Sequence, residues 1–211
     1  MLAACSGRES SPSGSPTALS PMLERRSDGT VIASADSLRR IPGYVVDSIF
    51  PPAEALIRFR TASSQSPATA LSGGETSITK LFTGYVAALH ARDSIAVLRF
   101  ALTRAEYAWL YYDGSPEQKS GLVPEAAWAL MESRSNVGLG RAASHVASLA
   151  DARVLSASCG QAATPLPTSE LLGPCFVVLA SPDGNSTRLL LARTVMRRNG
   201  RVKLVSFANG L

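Results

Sequence analysis

The chain has 211 residues, 45% of them hydrophobic and 18% charged, which describes one globular domain plus a tail and excludes an intrinsically disordered protein. No stretch approaches the ~20 apolar residues of a membrane-spanning helix, so membrane association has to come from an anchor or a surface. The formal charge is +5, with 18 arginines against 3 lysines; the arginines are scattered without a nucleic-acid motif, so a soluble basic surface is expected and no nucleic-acid partner.

The chain opens Met1-Leu2-Ala3-Ala4-Cys5-Ser6. Leu2-Ala3-Ala4-Cys5 resembles the bacterial lipobox, an aliphatic residue and two small ones before a cysteine. The resemblance implies that the Cys5 thiol takes a diacyl lipid, that a signal peptide is cut before it, and that its new amino group is acylated. Ser6, where an aspartate would retain the protein at the inner membrane, implies sorting to the periplasmic face of an outer membrane. A signal peptide needs a charged start and an apolar stretch, and only four residues precede Cys5; this reading expects more upstream of Met1. Residues 6–21, SGRESSPSGSPTALSP, read as a disordered Ser/Pro/Gly tether spanning at most about 50 Å.

Residues 22–75 read as an extended arm with a short helix. Thr30-Val31-Ile32 and Tyr44-Val45-Val46 are strand-like pieces, from which one strand is expected, and Pro51-Pro52 opens the helix AEALIRFR. The globular core is expected over 76–211. Its clearest helix begins near Thr76, with Ile78, Leu81, Phe82, Tyr85, Val86 and Leu89 in one apolar stripe at helical period. An element over Asp93–Phe100 follows. The next helix starts at Thr103, where Thr103-Arg104-Ala105-Glu106 has capping-box spacing, and breaks at Gly114-Ser115-Pro116. Pro124 opens another helix, and Gly138 and Gly140 are expected to separate it from a further segment at 140–149.

From Arg153 the period becomes two, with strands expected at 153–159, 175–181, 187–197 and 201–208. Pro182-Asp183-Gly184-Asn185 and Asn199-Gly200 supply the turns. Helices first and an antiparallel meander of about four strands afterwards make an α+β fold. That order, over 76–208, resembles the NTF2-like (SnoaL-like) cone, which implies a pocket between helices and sheet and, in some members, an isomerase or cyclase activity.

With Cys5 lipidated, Cys159 and Cys175 remain as a disulfide pair in an oxidising compartment; two buried free thiols are the alternative. Neither has a C-x-x-C companion, so no metal is expected.

No catalytic signature emerges. Ser77-Ile78-Thr79-Lys80 has the S-x-x-K spacing of serine β-lactamases but lacks the companion motifs and reads as a helix start. Gly138-Leu139-Gly140-Arg141-Ala142-Ala143 fits G-x-G-x-x-A without the strand or the acidic residue that dinucleotide binding needs, so no cofactor is expected. His90 and His145 read as surface or boundary residues, and Asn185-Ser186-Thr187 as a turn. Arg193, Arg197, Arg198, Arg201 and Lys203 read as a solvated sheet face, with phosphates or lipid headgroups as the alternative.

The candidate ligand site is aromatic: Tyr107, Trp109, Tyr111 and Tyr112 on one helix, and Trp128 on the next. Aromatics on several faces of one helix cannot all point inward, so some should meet a pocket, a partner or water, although ordinary core and boundary packing is the weightier account of the cluster. The function expected is a non-enzymatic envelope lipoprotein whose domain binds a small ligand or an envelope protein; the alternative is an NTF2-like enzyme with its base among dispersed carboxylates such as Asp93 or Glu106.

Overall fold

The computed structural model describes residues 23–25, 31–33, 50–149, 151–161 and 166–211. Cys5, the tether and Tyr44–Val46 lie outside them. The chain divides into two compact units, Met1–Ile49 and Phe50–Leu211. In the first, strands β1 (Leu23–Arg25) and β2 (Val31–Ala33) pair antiparallel with Leu23 opposite Ala33; one strand was expected here and two form.

The second unit is α+β. It begins at Phe50, upstream of the expected boundary at 76, because helix α1 (Pro52–Ser63) buries Ala55 and Phe59 and the following loop buries Leu71. Helix α2 (Ile78–His90) turns its apolar stripe inward, and Ser77 caps it by accepting from the Lys80 N–H. Helix α3 (Ser94–Leu98) is capped by Asp93. Helix α4 (Arg104–Glu106) begins with the expected capping box and runs into a π-helical turn, Tyr107–Tyr111, closed by the Tyr112 N–H donating to Tyr107 O. Helix α5 (Pro116–Lys119) is a single turn, and helix α6 (Pro124–Ser148) is the longest element.

The expected break in α6 is absent. Both Gly138 and Gly140 lie inside an unbroken helix, and Gly138 serves a different purpose. A Cβ there would stand 2.1 Å from Phe207 O, so the missing side chain lets another stretch of backbone lie against the helix. Asn209, itself buried, donates to Gly138 O at 2.6 Å, and the Phe207 N–H donates to Ser135 Oγ at 3.1 Å. Gly140 faces open space.

The sheet contains β3 (Arg153–Gln161), β4 (Glu170–Ala180), β5 (Ser186–Ala192), β6 (Val195–Arg198) and β7 (Arg201–Leu204), all antiparallel. Its path runs β3-β4-β6-β7, with β5 beside the second half of β4. The expected third strand is thus split at Arg193-Thr194. Opposite the split, Gly173 and Pro174 leave the ladder between Leu172, paired with Val195, and Cys175, paired with Ala192. A Cβ on Gly173 would lie 2.0 Å from Arg193 O, so glycine is what allows the two interrupted strands to stay in contact. Beyond the interruption β4 continues back to Glu170, over residues expected to be loop, because Leu171 and Leu172 pair with β6.

Side chains alternate across the sheet. At β6–β7, Val195, Val202 and Leu204 join one core with α2, α3 and the second half of α6, while Met196 joins a second core with α1 and the π-helical turn. This corner is therefore covered on both faces. At β3–β5, Cys175, Val177, Leu179, Leu189 and Leu191 face the first core. Cys159 and Cys175 oppose each other across β3–β4 and form the expected disulfide, with a Cα–Cα separation of 4.0 Å.

Two glycines two residues apart should respond with opposite sign. Gly138→Ala is expected to destabilise by about 1–3 kcal/mol through overpacking against Phe207, and Gly140→Ala to stabilise by about 0.5–1 kcal/mol by relieving helix-interior entropy. Thermal melts should move by about 2–4 °C per kcal/mol. Equal shifts in the two variants would contradict the packing described.

Candidate functional site

The aromatic residues form a packed cluster. Tyr107 is its centre, edge-on to Phe59 at 6.1 Å and to Trp128 at 5.1 Å, and tilted against Tyr111 at 5.2 Å and Tyr112 at 6.2 Å. Tyr107, Tyr111 and Tyr112 are all buried, and Trp109 and Trp128 are half-buried. Ordinary packing turns most of these aromatics inward, and for a definite reason. The segment lies between α1 on one side and Ala127 and Trp128 of α6 on another, with Leu171 and Met196 of the sheet beside them. The π-helical turn also shifts residues after it relative to α-helical spacing. Trp109, half-buried, is covered by Arg60, whose guanidinium lies 4.6 Å from its ring; Arg60 Nε donates to Ala108 O and Nη2 to Asp113 Oδ2. Burial holds the Tyr107 and Tyr111 phenols well above the ordinary tyrosine range, with the charge of Glu117 adding to it. Both stay protonated.

Glu106, weighed from sequence as a possible base, is buried and occupied. Oε1 accepts from the Ser72 N–H, from Ser72 Oγ at 2.9 Å and from Lys203 Nζ at 3.2 Å. Oε2 accepts from the Thr103 N–H at 2.7 Å and Lys203 Nζ at 2.8 Å. Burial opposes its ionisation, but the Lys203 hydrogen bond, the Thr103 and Ser72 amides and the lysine charge outweigh it and hold the carboxyl below its usual range. Such a group anchors structure; it has no oxygen free to take a proton from a substrate. Asp93 is engaged as the α3 cap.

Lys203 is a correction to the sequence reading of the terminal hairpin. It is 1% exposed, not part of a solvated face. Arg197 pairs with Glu170 at 3.1 Å, and Arg198 binds Thr69 O, Thr168 and Ser169. Arg193 lines a cavity among the described residues.

That cavity is a half-enclosed cleft of about 570 Å³ between α6 and segment 205–209, a size typical of small-molecule sites. Its geometry follows from the split in the sheet. The interrupted strand leaves the Arg193 N–H and Thr194 O unpaired with β4, and segment 205–209 takes both: Arg193 N–H donates to Ala208 O, and Val205 N–H to Thr194 O, each at 3.0 Å. Segment 205–209 is in turn held to α6 through Ser135 and Gly138. Arg193 therefore lines the cleft opposite Arg134 and Arg141 of α6. Among the described residues, no carboxylate pairs with any of these three arginines. Ala127, Leu130, Met131, Val137 and Val205 supply apolar wall, and Tyr111 donates to Glu117 Oε2 at 3.1 Å at the margin.

Of the sequence candidates, Tyr111 reaches this cleft; Tyr107, Trp109, Tyr112 and Trp128 line none of the described cavities. The arginines were missed as a set. Arg134 and Arg141, spaced i, i+7 beside Leu130 and Val137, are a readable basic-apolar stripe, but Arg193 joins them only through the fold. His90 sits with Nε2 3.2 Å from Ala152 O, and His145 borders a separate shallow hollow of about 450 Å³. Among the described residues no three of His, Cys, Asp and Glu converge as metal ligands. Comparison with known proteins finds no matching family model, no matching curated protein and no matching solved structure.

The Glu106 ion pair has a definite pH signature. A carboxyl whose folded pKa is depressed contributes stability fully above its unfolded value, about 4.3 for glutamate, and loses that contribution as pH falls through the folded value. Glu106→Gln is expected to cost about 3 kcal/mol or more at pH 7 by leaving Lys203 buried without its counter-charge. Urea midpoints taken from pH 7 to pH 3 should show the gap to the parent protein narrowing in acid. A gap constant with pH would contradict the assignment.

Proposed function

We propose that this chain is a cell-envelope lipoprotein, anchored through Cys5 on the periplasmic face of an outer membrane, whose α+β domain is a binding module. The address rests on the lipobox residues, on the Ser/Pro/Gly tether after them, and on the Cys159–Cys175 bond, which fits an oxidising compartment. Among the described residues no helix is long and apolar enough to cross a membrane, and the lipid anchor supplies the attachment.

The binding half of the proposal is carried by one observation. The cleft between α6 and segment 205–209 gathers Arg134, Arg141 and Arg193 around an apolar wall with no carboxylate partner for any of them among the described residues. Ordinary surface arginines gain little from being held together; three directed at one concavity favour a ligand of opposite charge. The NTF2-like enzyme reading has less support, because the two carboxylates weighed for it serve structure: both Glu106 oxygens are taken and Asp93 caps α3. An envelope protein remains an alternative occupant of the cleft in the binding reading.

The anchor is checked by expressing the full chain behind a lipoprotein signal peptide in a Gram-negative host. The parent protein should fractionate with membranes and incorporate a labelled fatty acid, and Cys5→Ala should do neither. Membrane fractionation unchanged by Cys5→Ala would overturn the anchor. A native mass spectrum of the detergent-released protein checks the binding module: a retained non-covalent mass supports it, and a bare protein that also captures nothing from envelope extract counts against it.

A further inference from the structure

We infer that the cleft takes a single-chain amphipathic anion, an alkyl or acyl chain ending in a phosphate or carboxylate, with its head at Arg193 and its chain along the first half of α6. This rests on the binding-module reading and specifies its ligand.

The cleft is polarised along the helix. The α6 residues that line it fall in order: Ala127, Leu130 and Met131 at one end, then Ser133 and Arg134, then Val137, Gly138 and Arg141 at the other. At 1.5 Å per residue the stretch from 127 to 141 covers about 21 Å, with apolar side chains over its first turn and both helix arginines beyond it. The opposite wall is graded in the same sense. Segment 205–209 is pinned at Phe207 to Ser135 and at Asn209 to Gly138, and Arg193 is pinned to Ala208 between those two points. The Arg193 backbone therefore stands level with the interval between Arg134 and Arg141, while Val205 lies on the chain's approach to that point. Thr194 and Ser206 also line the cleft and offer hydroxyl donors.

Head and tail chemistry both follow from that gradient. Guanidinium groups bind phosphate and carboxylate by paired N–H donors, so a compact anion matches the Arg134–Arg193–Arg141 end. The apolar end offers a chain burial worth about 0.8 kcal/mol per methylene fully removed from water. Glu117, the carboxylate of the wall, is bonded to Tyr111, and Tyr111 with Ala127 and Met131 belongs to the aromatic core at the apolar end. A second negative group at that end would therefore be repelled, which orients the ligand. A polyanion such as nucleic acid would meet that carboxylate and an apolar wall, and fits the cleft poorly.

The test is calorimetric titration of the full protein with monomeric dodecyl phosphate, against inorganic phosphate as the head alone and dodecyl maltoside below its micelle concentration as an uncharged chain. Dodecyl phosphate should bind at least tenfold more tightly than either control. Arg193→Gln and Arg141→Gln should each weaken it at least tenfold with melting temperature unchanged, and Arg201→Gln, an exposed arginine outside the cleft, should not. Phosphatidylglycerol vesicles distinguish the source of the head. Binding to the monomer, with or without binding to vesicles, supports a ligand held in the cleft. Binding to vesicles alone overturns the proposal in favour of a basic surface resting on a bilayer. Equal affinity for the uncharged chain, or insensitivity to both arginine variants, also overturns it. A retained ligand in the native mass spectrum, together with no dodecyl phosphate binding, would leave the binding module standing and this ligand class refuted.

Discussion

Glu106 and Lys203 meet at 2.8 Å with both side chains almost wholly removed from water, and three distant parts of the chain depend on their meeting. The carboxylate closes the capping box at Thr103, which starts the helix carrying the aromatic cluster. It accepts from Ser72 in the loop before α2, and through Lys203 it holds β7. Two buried charges are costly to desolvate, and their attraction alone need not repay that cost. Here each carboxylate oxygen accepts at least two hydrogen bonds, the condition under which such a pair is tolerated. Backbone bonding runs alongside it: Glu75 exchanges both backbone hydrogen bonds with Val202, and Leu204 bonds to Phe100 and Leu102. The edge of β7 is thus closed by loop on the side away from β6, and the exposed strand edge that would otherwise invite association is removed.

The second constraint is the interruption shared by β4 and the β5–β6 strand. Two residues on each strand leave the ladder together, and their backbone groups need partners. Segment 205–209 provides them on one side and grips α6 on the other. The cleft is a consequence of this arrangement: it is the space beside a helix and a segment that are bonded to each other at Ser135 and Gly138. Arg193 enters it because it sits at the interruption, where a strand residue no longer obeys strict alternation.

Local chemistry was legible in the sequence and long-range chemistry was not. The capping box at Thr103, the α2 stripe, the strand order and the Cys159–Cys175 pairing each rest on spacings within a few residues or on counting, and each appears in the structure. Lys203 looked like one more cation of a basic hairpin because its partner is 97 residues away. Gly138 looked like a helix break because a glycine in a helical run has two explanations, local termination and close approach, and only the position of Phe207 decides between them. The aromatic residues looked too many for one helix because the number of neighbours covering that helix is a tertiary property. The cleft was hidden for the same reason: two of its arginines form a stripe on α6, but the third comes from a strand interruption that no turn signal marks.

The fold depends most on the buried ion pair, and a double-mutant cycle measures it directly. Glu106→Gln, Lys203→Met and the double variant should be compared by equilibrium urea unfolding at pH 7. A coupling of about 2–3 kcal/mol is expected, with the double variant no less stable than the worse single one, because removing both charges leaves neither stranded. Additive losses would contradict it, and would mean that Glu106 and Lys203 stabilise the fold through separate contacts and not through each other.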